Sequence, residues 1–264
     1  KFFEYVEMAD SGKFKKADFR DEAVEFLAIS FSELPDGVDR AMKFFESKGG
    51  RPWADFVLYT IGIKNRDHDN VEEAVKSLTT LLKHSPDFLE APMALKALID
   101  CHVLEKHYDK ANELREQMIR DYGPKSRWME KYKDQQDKIG QTLEYIKEAA
   151  AIIPVYYTKM ASQARDSGNT AKAKDLFEKA LAGYSNYIEK FPDNKWLVFS
   201  FQYFRADILS DTLIARWKEA AEAFDWVSRE DTTKYPNRAE EKAKVDDAKK
   251  REERDIKEQF KSDI

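Results

Sequence analysis

Cysteine is nearly absent: Cys101 stands alone in 264 residues. No disulfide can close within the chain, and the compartment stays open between the cytosol and an extracytoplasmic space whose proteins need no bridges. Glycine (9) and proline (8) are scarce, which leaves too few tight turns for a β-sandwich or barrel. No run of about 18 apolar residues occurs, so no segment is expected to enter a membrane as a spanning helix. A concentrated basic face is also missing. The 45 Lys+Arg and 50 Asp+Glu interleave to a net charge of −5, which argues against a nucleic-acid partner, since such a domain needs clustered cations to displace counterions. The sequence begins at Lys1, where it is expected to enter in mid-helix, and no initiating Met or signal-peptide pattern is read in it. That opening is expected of an excised mature fragment whose targeting segment, if it had one, is gone.

What remains is helix-forming. Apolar residues make up 42% of the chain, enough for a large core, and charged residues 36%. The abundant Ala, Leu, Glu and Lys each favour helix by a few tenths of a kcal/mol, a bias that sums over long windows. Period-2 alternation is missing, and amphipathic stretches of helical period are separated by short polar breaks. The breaks are Ser11-Gly12-Lys13, Leu34-Pro35-Asp36-Gly37, Gly49-Gly50-Arg51-Pro52, His84-Ser85-Pro86-Asp87, Tyr122-Gly123-Pro124, Ser167-Gly168-Asn169, Phe191-Pro192-Asp193 and Tyr235-Pro236-Asn237. Gly supplies the left-handed C-cap, Pro stops a helix, and Asp, Asn or Ser caps the next. Helices are therefore predicted near 2–10, 17–33, 38–48, 53–65, 70–84, 88–104, 108–122, 127–151, 154–167, 170–190, 195–212, 216–230 and 237–261. Helix, short turn and helix in succession is the pattern of an αα-hairpin array.

The hairpins carry a repeated offset. Ala74 is followed by Leu78 and Leu81 and then by Pro86, and is preceded by Leu58, Ile61 and Gly62. Ala173 follows the turn Gly168-Asn169 and leads Phe177 and Ala180, with Tyr157, Ala161 and Ala164 before it. Ala220 leads Phe224 and Val227, with Trp217 in the turn. Ala111 follows Tyr108, with Arg115 in the bulky slot, and Ala41 leads Phe45. A small residue early in a second helix lets two backbones approach, and a bulky one a turn later fills the gap.

On these residues the chain resembles the tetratricopeptide-repeat family over roughly 17–230, which implies an all-α, irregular solenoid of antiparallel hairpins. Anchor spacings of 33, 37, 62 and 47 residues depart from a constant 34 and imply an inserted long helix near 127–151 and elongated second helices such as 170–190. The segments DEAVEFLAISFSE, RAMKFFESKGGRPWADFVLYTIG, YGPKSRW and FEKALAGYSNYIEKFPDN resemble repeat proteins of the bacterial cell envelope. There, such arrays scaffold outer-membrane assembly, secretion or motility machinery. The expected divisions are N-terminal hairpins over 1–126, a long helix with C-terminal hairpins over 127–236, and a charged helix over 237–264.

The resemblance also places a binding groove on the first helices. Counting back from each anchor gives Phe56, Tyr59 and Ile63; Met93, Lys96 and Asp100; Val155, Thr158, Ser162 and Arg165; and Gln202, Arg205 and Leu209. Repeats that clamp a chaperone's terminal carboxylate need Asn at slots that here carry Ile63, Asp100, Ser162 and Leu209, so that mode is not expected. The mixed groove suits an extended or helical protein segment. The resulting expectation is a non-enzymatic interaction scaffold of a periplasmic or outer-membrane-associated assembly. A cytoplasmic regulator or co-chaperone-like adaptor, and a helical domain attached to an enzyme, are the alternatives.

No catalytic chemistry stands out. His102 and His107 lie near Cys101, but a spacing of five does not put them on one helical face, so neither metal nor cofactor is expected. No turn sets Cys101 over a helix N-terminus as a nucleophile. Glu72-Glu73 and Asp246-Asp247 read as solvated charge, and Gly49-Gly50 lacks the Lys-Ser/Thr of a phosphate loop. Phe199, Phe201, Tyr203 and Phe204 cannot share one face, since neighbouring residues sit about 100° apart on a helix. Their helix must be covered on more than one side, by neighbouring hairpins or by a partner. Residues 237–264 carry sparse apolar positions (Ala239, Ala243, Ala248, Ile256, Phe260, Ile264) in a charged run that reads as a cap or linker helix, as a coiled-coil or partner-docking segment, or as disorder.

Overall fold

The computed structural model describes residues 1–12 and 19–231, together with Thr233, Tyr235, Ala243, Lys244, Asp247, Arg251 and Arg254. Among these residues the regular structure is helical: α1 (Phe2–Asp10), α2 (Arg20–Ser32), α3 (Gly37–Ser47), α4 (Ala54–Asp67), α5 (Val71–His84), α6 (Ala91–Leu104), α7 (Tyr108–Tyr122), α8 (Arg127–Lys131), α9 (Gln136–Asp166), α10 (Thr170–Lys190), α11 (Lys195–Leu209) and α12 (Trp217–Ser228). Two compact units divide the chain, Lys1–Ile146 and Lys147–Ile264, and the division falls inside α9.

The first unit is a two-layer hairpin stack. Each helix packs on its successor from α1 to α8. Contacts also run from α2 to α4 and from α4 to α6, and from α3 to α5. First helices therefore form one layer and second helices another, as expected of an all-α repeat array. The anchoring alanines Ala41, Ala74 and Ala111 are fully buried here, as are Ala173 and Ala220 in the second unit. Without a side chain beyond Cβ, each lets a neighbouring helix approach.

A shared turn delivers every anchor. Five residues before it the backbone is left-handed: Asp36 (φ 54°), Asp69 (60°), Lys106 (61°), Gly168 (81°) and Ala215 (53°). In three of the hairpins the next residue closes the turn onto the preceding helix. The N–H groups of Asn70, His107 and Asn169 donate to the carbonyls of Asn65, His102 and Ala164, each at 2.8 Å. The same three residues then accept from the anchors Ala74, Ala111 and Ala173 through their carbonyls, at 2.9–3.0 Å. One bond ends a helix and the other starts the next, so orphan groups at both termini are satisfied.

A close approach lies between α4 and α5. A Cβ added at Gly62 would sit 2.6 Å from side-chain carbons of Leu78. Beside it the buried Ser77 hydroxyl donates to the Leu58 carbonyl at 2.7 Å, which satisfies a polar group that would otherwise be costly inside the stack.

Two predicted helices need correction. The stretch 127–151 is not one helix: α8 ends at Lys131 and α9 begins at Gln136. No Gly or Pro marks this break. It is made by side chains that tie α8 to the α5–α6 loop. Trp128 Nε1 donates to the Phe88 carbonyl (2.9 Å), while the Tyr132 hydroxyl (2.9 Å) and Lys131 Nζ (2.8 Å) both donate to that of Asp87. Tyr122 adds a bond to the Pro86 carbonyl at 3.0 Å. Conversely, Pro154 does not separate two helices, and α9 runs through it for 31 residues. An interior proline normally costs about 3 kcal/mol. Here its ring is buried against Gly183 of α10, where an added Cβ would come within 3.0 Å of the ring. Burial of the ring in that notch offsets the lost donor.

In the second unit α10 packs on α11 and α11 on α12. The aromatic helix α11 is covered on two sides by its own chain. Phe201 meets Tyr184 and Tyr187 of α10, with centroids 5.0 and 4.9 Å apart. Phe199 meets Tyr235 at 5.1 Å, and Tyr203 meets Phe224 of α12 at 6.0 Å. Further C-terminal residues bind the same helix. Tyr203 donates to Asp247 at 2.8 Å, and Arg251 bonds Asp207 and Ser210 with its guanidinium 4.7 Å from the Phe224 ring centroid. Most of the charged run 237–264 lies outside the described residues.

The turn and the close approach make separable predictions. Gly168 has open space around it, so Gly168→Ala should cost about 1 kcal/mol from left-handed strain alone, and Ala215→Gly should gain about 0.5–1 kcal/mol. Gly62→Ala should cost about 1–3 kcal/mol from overpacking. In denaturant unfolding, Leu78→Ala should mask part of the Gly62→Ala cost and leave that of Gly168→Ala unchanged.

Candidate functional site

Spacings of three and four put Phe56, Tyr59 and Ile63 on one face of α4. Phe56 remains 36% exposed. Its ring lies 6.3 Å from Tyr59, which in turn lies 6.4 Å from Phe88. Burial, assisted by the nearby Glu90 and Tyr145, pushes the Tyr59 hydroxyl above its ordinary pKa. Ile63 is half-buried against the core. On α6 the Lys96 ammonium bonds Asp100 at 2.8 Å and lies 6.0 Å from the Tyr145 ring centroid of α9. Arg66 completes the patch. Burial opposes its charge, but its bond to Asp67 and the charges of Asp67 and Asp100 outweigh that and raise its pKa. The structure thus joins Phe56 to Tyr59 and Lys96 to Asp100 on the first-helix layer, and adds Arg66, Glu90 and Tyr145, which anchor counting does not reach. Met93 is a correction. It is 6% exposed and belongs to the core, because α6 packs against α4, α5 and α7 and is covered almost all round.

In the second unit Thr158, Ser162 and Arg165 line one face of α9. The Thr158 hydroxyl donates to the Pro154 carbonyl at 2.9 Å and meets the Tyr184 hydroxyl at 3.1 Å. Ser162 is half-buried and Val155 is exposed. Arg165 donates to Asp211, just beyond α11, at 2.6 Å, and its guanidinium lies 5.9 Å from the Phe177 ring centroid. On α11, Arg205 turns toward Glu219 of α12 at 4.0 Å. The Gln202 side-chain oxygen is buried with no hydrogen-bond partner. Leu209 is the second correction: at 1% exposure it fills the core rather than lining a surface.

The histidine expectation also changes. Lys106 is left-handed, so the chain folds back after α6 and the His107 N–H reaches the His102 carbonyl. A spacing of five that would separate the rings along one helix brings their centroids to 5.9 Å across the turn. Glu105 joins them, with its Oε2 3.3 Å from His107 Nδ1. Burial holds His102 below its ordinary pKa against the pull of Glu105, and its Nδ1 is buried without a partner. Cys101 is wholly buried, and burial raises its thiol pKa, which keeps it protonated and a poor nucleophile.

Against known proteins, the chain matches no family model and no curated sequence.

Tyr184 gives this site a testable pH response. Burial, which outweighs the Thr158 bond, raises its hydroxyl to about 12. A raised folded-state value stabilises the fold below the ordinary pKa near 10, and this stabilisation disappears as pH rises through the folded value near 12. Absorbance titration of the wild type minus Tyr184→Phe should therefore show one tyrosinate appearing near pH 12. Ionisation of that residue near pH 10 in the folded chain would refute its burial against Thr158.

Proposed function

We propose that the chain is a protein-binding scaffold that holds an extended or helical segment of another protein on its first-helix layer. The observation that carries this reading is the side-by-side packing of α2, α4 and α6, which sets the outward side chains of successive hairpins beside one another. Exposed Phe56, half-buried Tyr59, and the Lys96–Asp100 pair on this layer combine apolar area with charge. That is the mixture an amphipathic segment needs for affinity and for register. Stacked hairpins serve mostly as extended binding surfaces. The hairpin turns and buried alanines support a tetratricopeptide-type repeat. The place of action we propose, a bacterial envelope assembly in the periplasm or at the outer membrane, rests on the segment resemblances alone.

The test is affinity capture from an envelope extract of the source cells with wild-type chain and with Phe56→Ala/Lys96→Glu. Loss of an aromatic anchor and reversal of a charge should lower recovery of any specific partner at least tenfold, while unfolding curves stay close to wild type. Equal recovery with both proteins would remove α4 and α6 from the binding face. A full-length gene with no export signal would move the scaffold to the cytoplasm and leave the binding face unaffected.

A further inference from the structure

We propose that His102, Glu105 and His107 form a site for a divalent transition-metal ion of the zinc class. One ring nitrogen from each histidine and one carboxylate oxygen of Glu105 lie within 4.8 Å of one another. Zinc–nitrogen and zinc–oxygen bonds of about 2.0–2.1 Å at tetrahedral angles place neighbouring ligand atoms about 3.3–3.4 Å apart. The His107 Nδ1 to Glu105 Oε2 separation is 3.3 Å, so one edge of such a site already has its length. The remaining edges close by side-chain rotation of about 1.5 Å or less, because the backbone frame is set. The His107 N–H to His102 carbonyl bond and left-handed Lys106 hold the two histidines across the turn.

Three further features bear on a cation here. His102 has a buried Nδ1 without a hydrogen-bond partner, so no protein bond competes with a metal for that nitrogen. His102 lies in the last turn of α6 and Glu105 caps it, so the negative pole of that helix faces the site, while His107 caps the N-terminus of α7, whose positive pole acts against it. The nearby Lys110 ammonium disfavours a second cation, and its bond to Glu113 at 2.8 Å reduces that effect. Two imidazoles and a carboxylate are a donor set for zinc, copper(II) or nickel, and a poor one for calcium or magnesium, which prefer oxygen alone. Three protein ligands leave the remaining positions to water. The same turn in the neighbouring hairpins carries Asn65 with Asn70 and Ala164 with Asn169. The repeated backbone therefore supplies the closeness, and this hairpin alone among the three places imidazoles on it.

The chain has four histidines, so two of them serve as internal controls. Equilibrium dialysis with Zn²⁺, and visible absorption with Co²⁺ as a spectroscopic probe, should give one equivalent bound per chain. His102→Gln and His107→Gln should each weaken binding at least about tenfold, while His68→Gln and His84→Gln should leave it unchanged. If a variant fails to fold, histidine ring resonances of the wild-type chain answer the question: Zn²⁺ should shift two of the four. No stoichiometric binding, or binding as sensitive to His68 and His84 as to His102 and His107, would overturn the site.

Discussion

The fold depends on a coupling between a left-handed residue and a buried alanine five positions later. The left-handed backbone turns the chain through the tight corner between two helices, and the alanine lets those helices come close enough to stack. Either alone is ineffective. A corner without a small residue behind it would hold the helices apart, and a small residue without the corner would have no helix to receive. Asp36, Asp69, Lys106, Gly168 and Ala215 all meet this requirement, and only one of them is glycine. A non-glycine residue in this conformation costs about 1–2 kcal/mol, so the strain is sustained by the burial it makes possible.

Layering follows from the coupling. Because the hairpins share this corner, the first helices α2, α4 and α6 meet one another in turn, and the second helices α3 and α5 meet beside them. Side chains on the outer side of the first layer are not needed for packing, and there Phe56 and the Lys96–Asp100 pair are found. The same corner has a chemical consequence at the α6–α7 turn. It presents residues five apart to each other, and in that hairpin they are His102 and His107.

Elements that depart from the repeat are governed by contacts distant in sequence. The α5–α6 loop presents the carbonyls of Pro86, Asp87 and Phe88, and side chains 36–45 residues later take them up. These bonds stop α8 after five residues and set the start of α9. Pro154 continues a helix because Gly183, 29 positions on, leaves room for its ring. Neither event has a local cue. Lys133 to Gln135 look as helical as their neighbours, and Pro154 looks like a terminator.

What the sequence by itself determined was the class of fold, the alternation of helix and turn, and the identity of the buried anchors. Those depend on local turn chemistry and on periods of three and four residues. Placement of Phe56, Tyr59, Lys96 and Asp100 on first helices was legible for the same reason, since each lies at a countable offset from an anchor. Tertiary structure decided the rest. Met93 and Leu209 share those offsets but are buried, because how many neighbours surround a helix is not written in its own periodicity. His102 and His107 looked unrelated on a helical wheel and face each other across a corner, because a single left-handed residue ends the helix between them. Ring proximity of this kind depends on where the chain reverses, a three-dimensional fact that spacing alone does not encode.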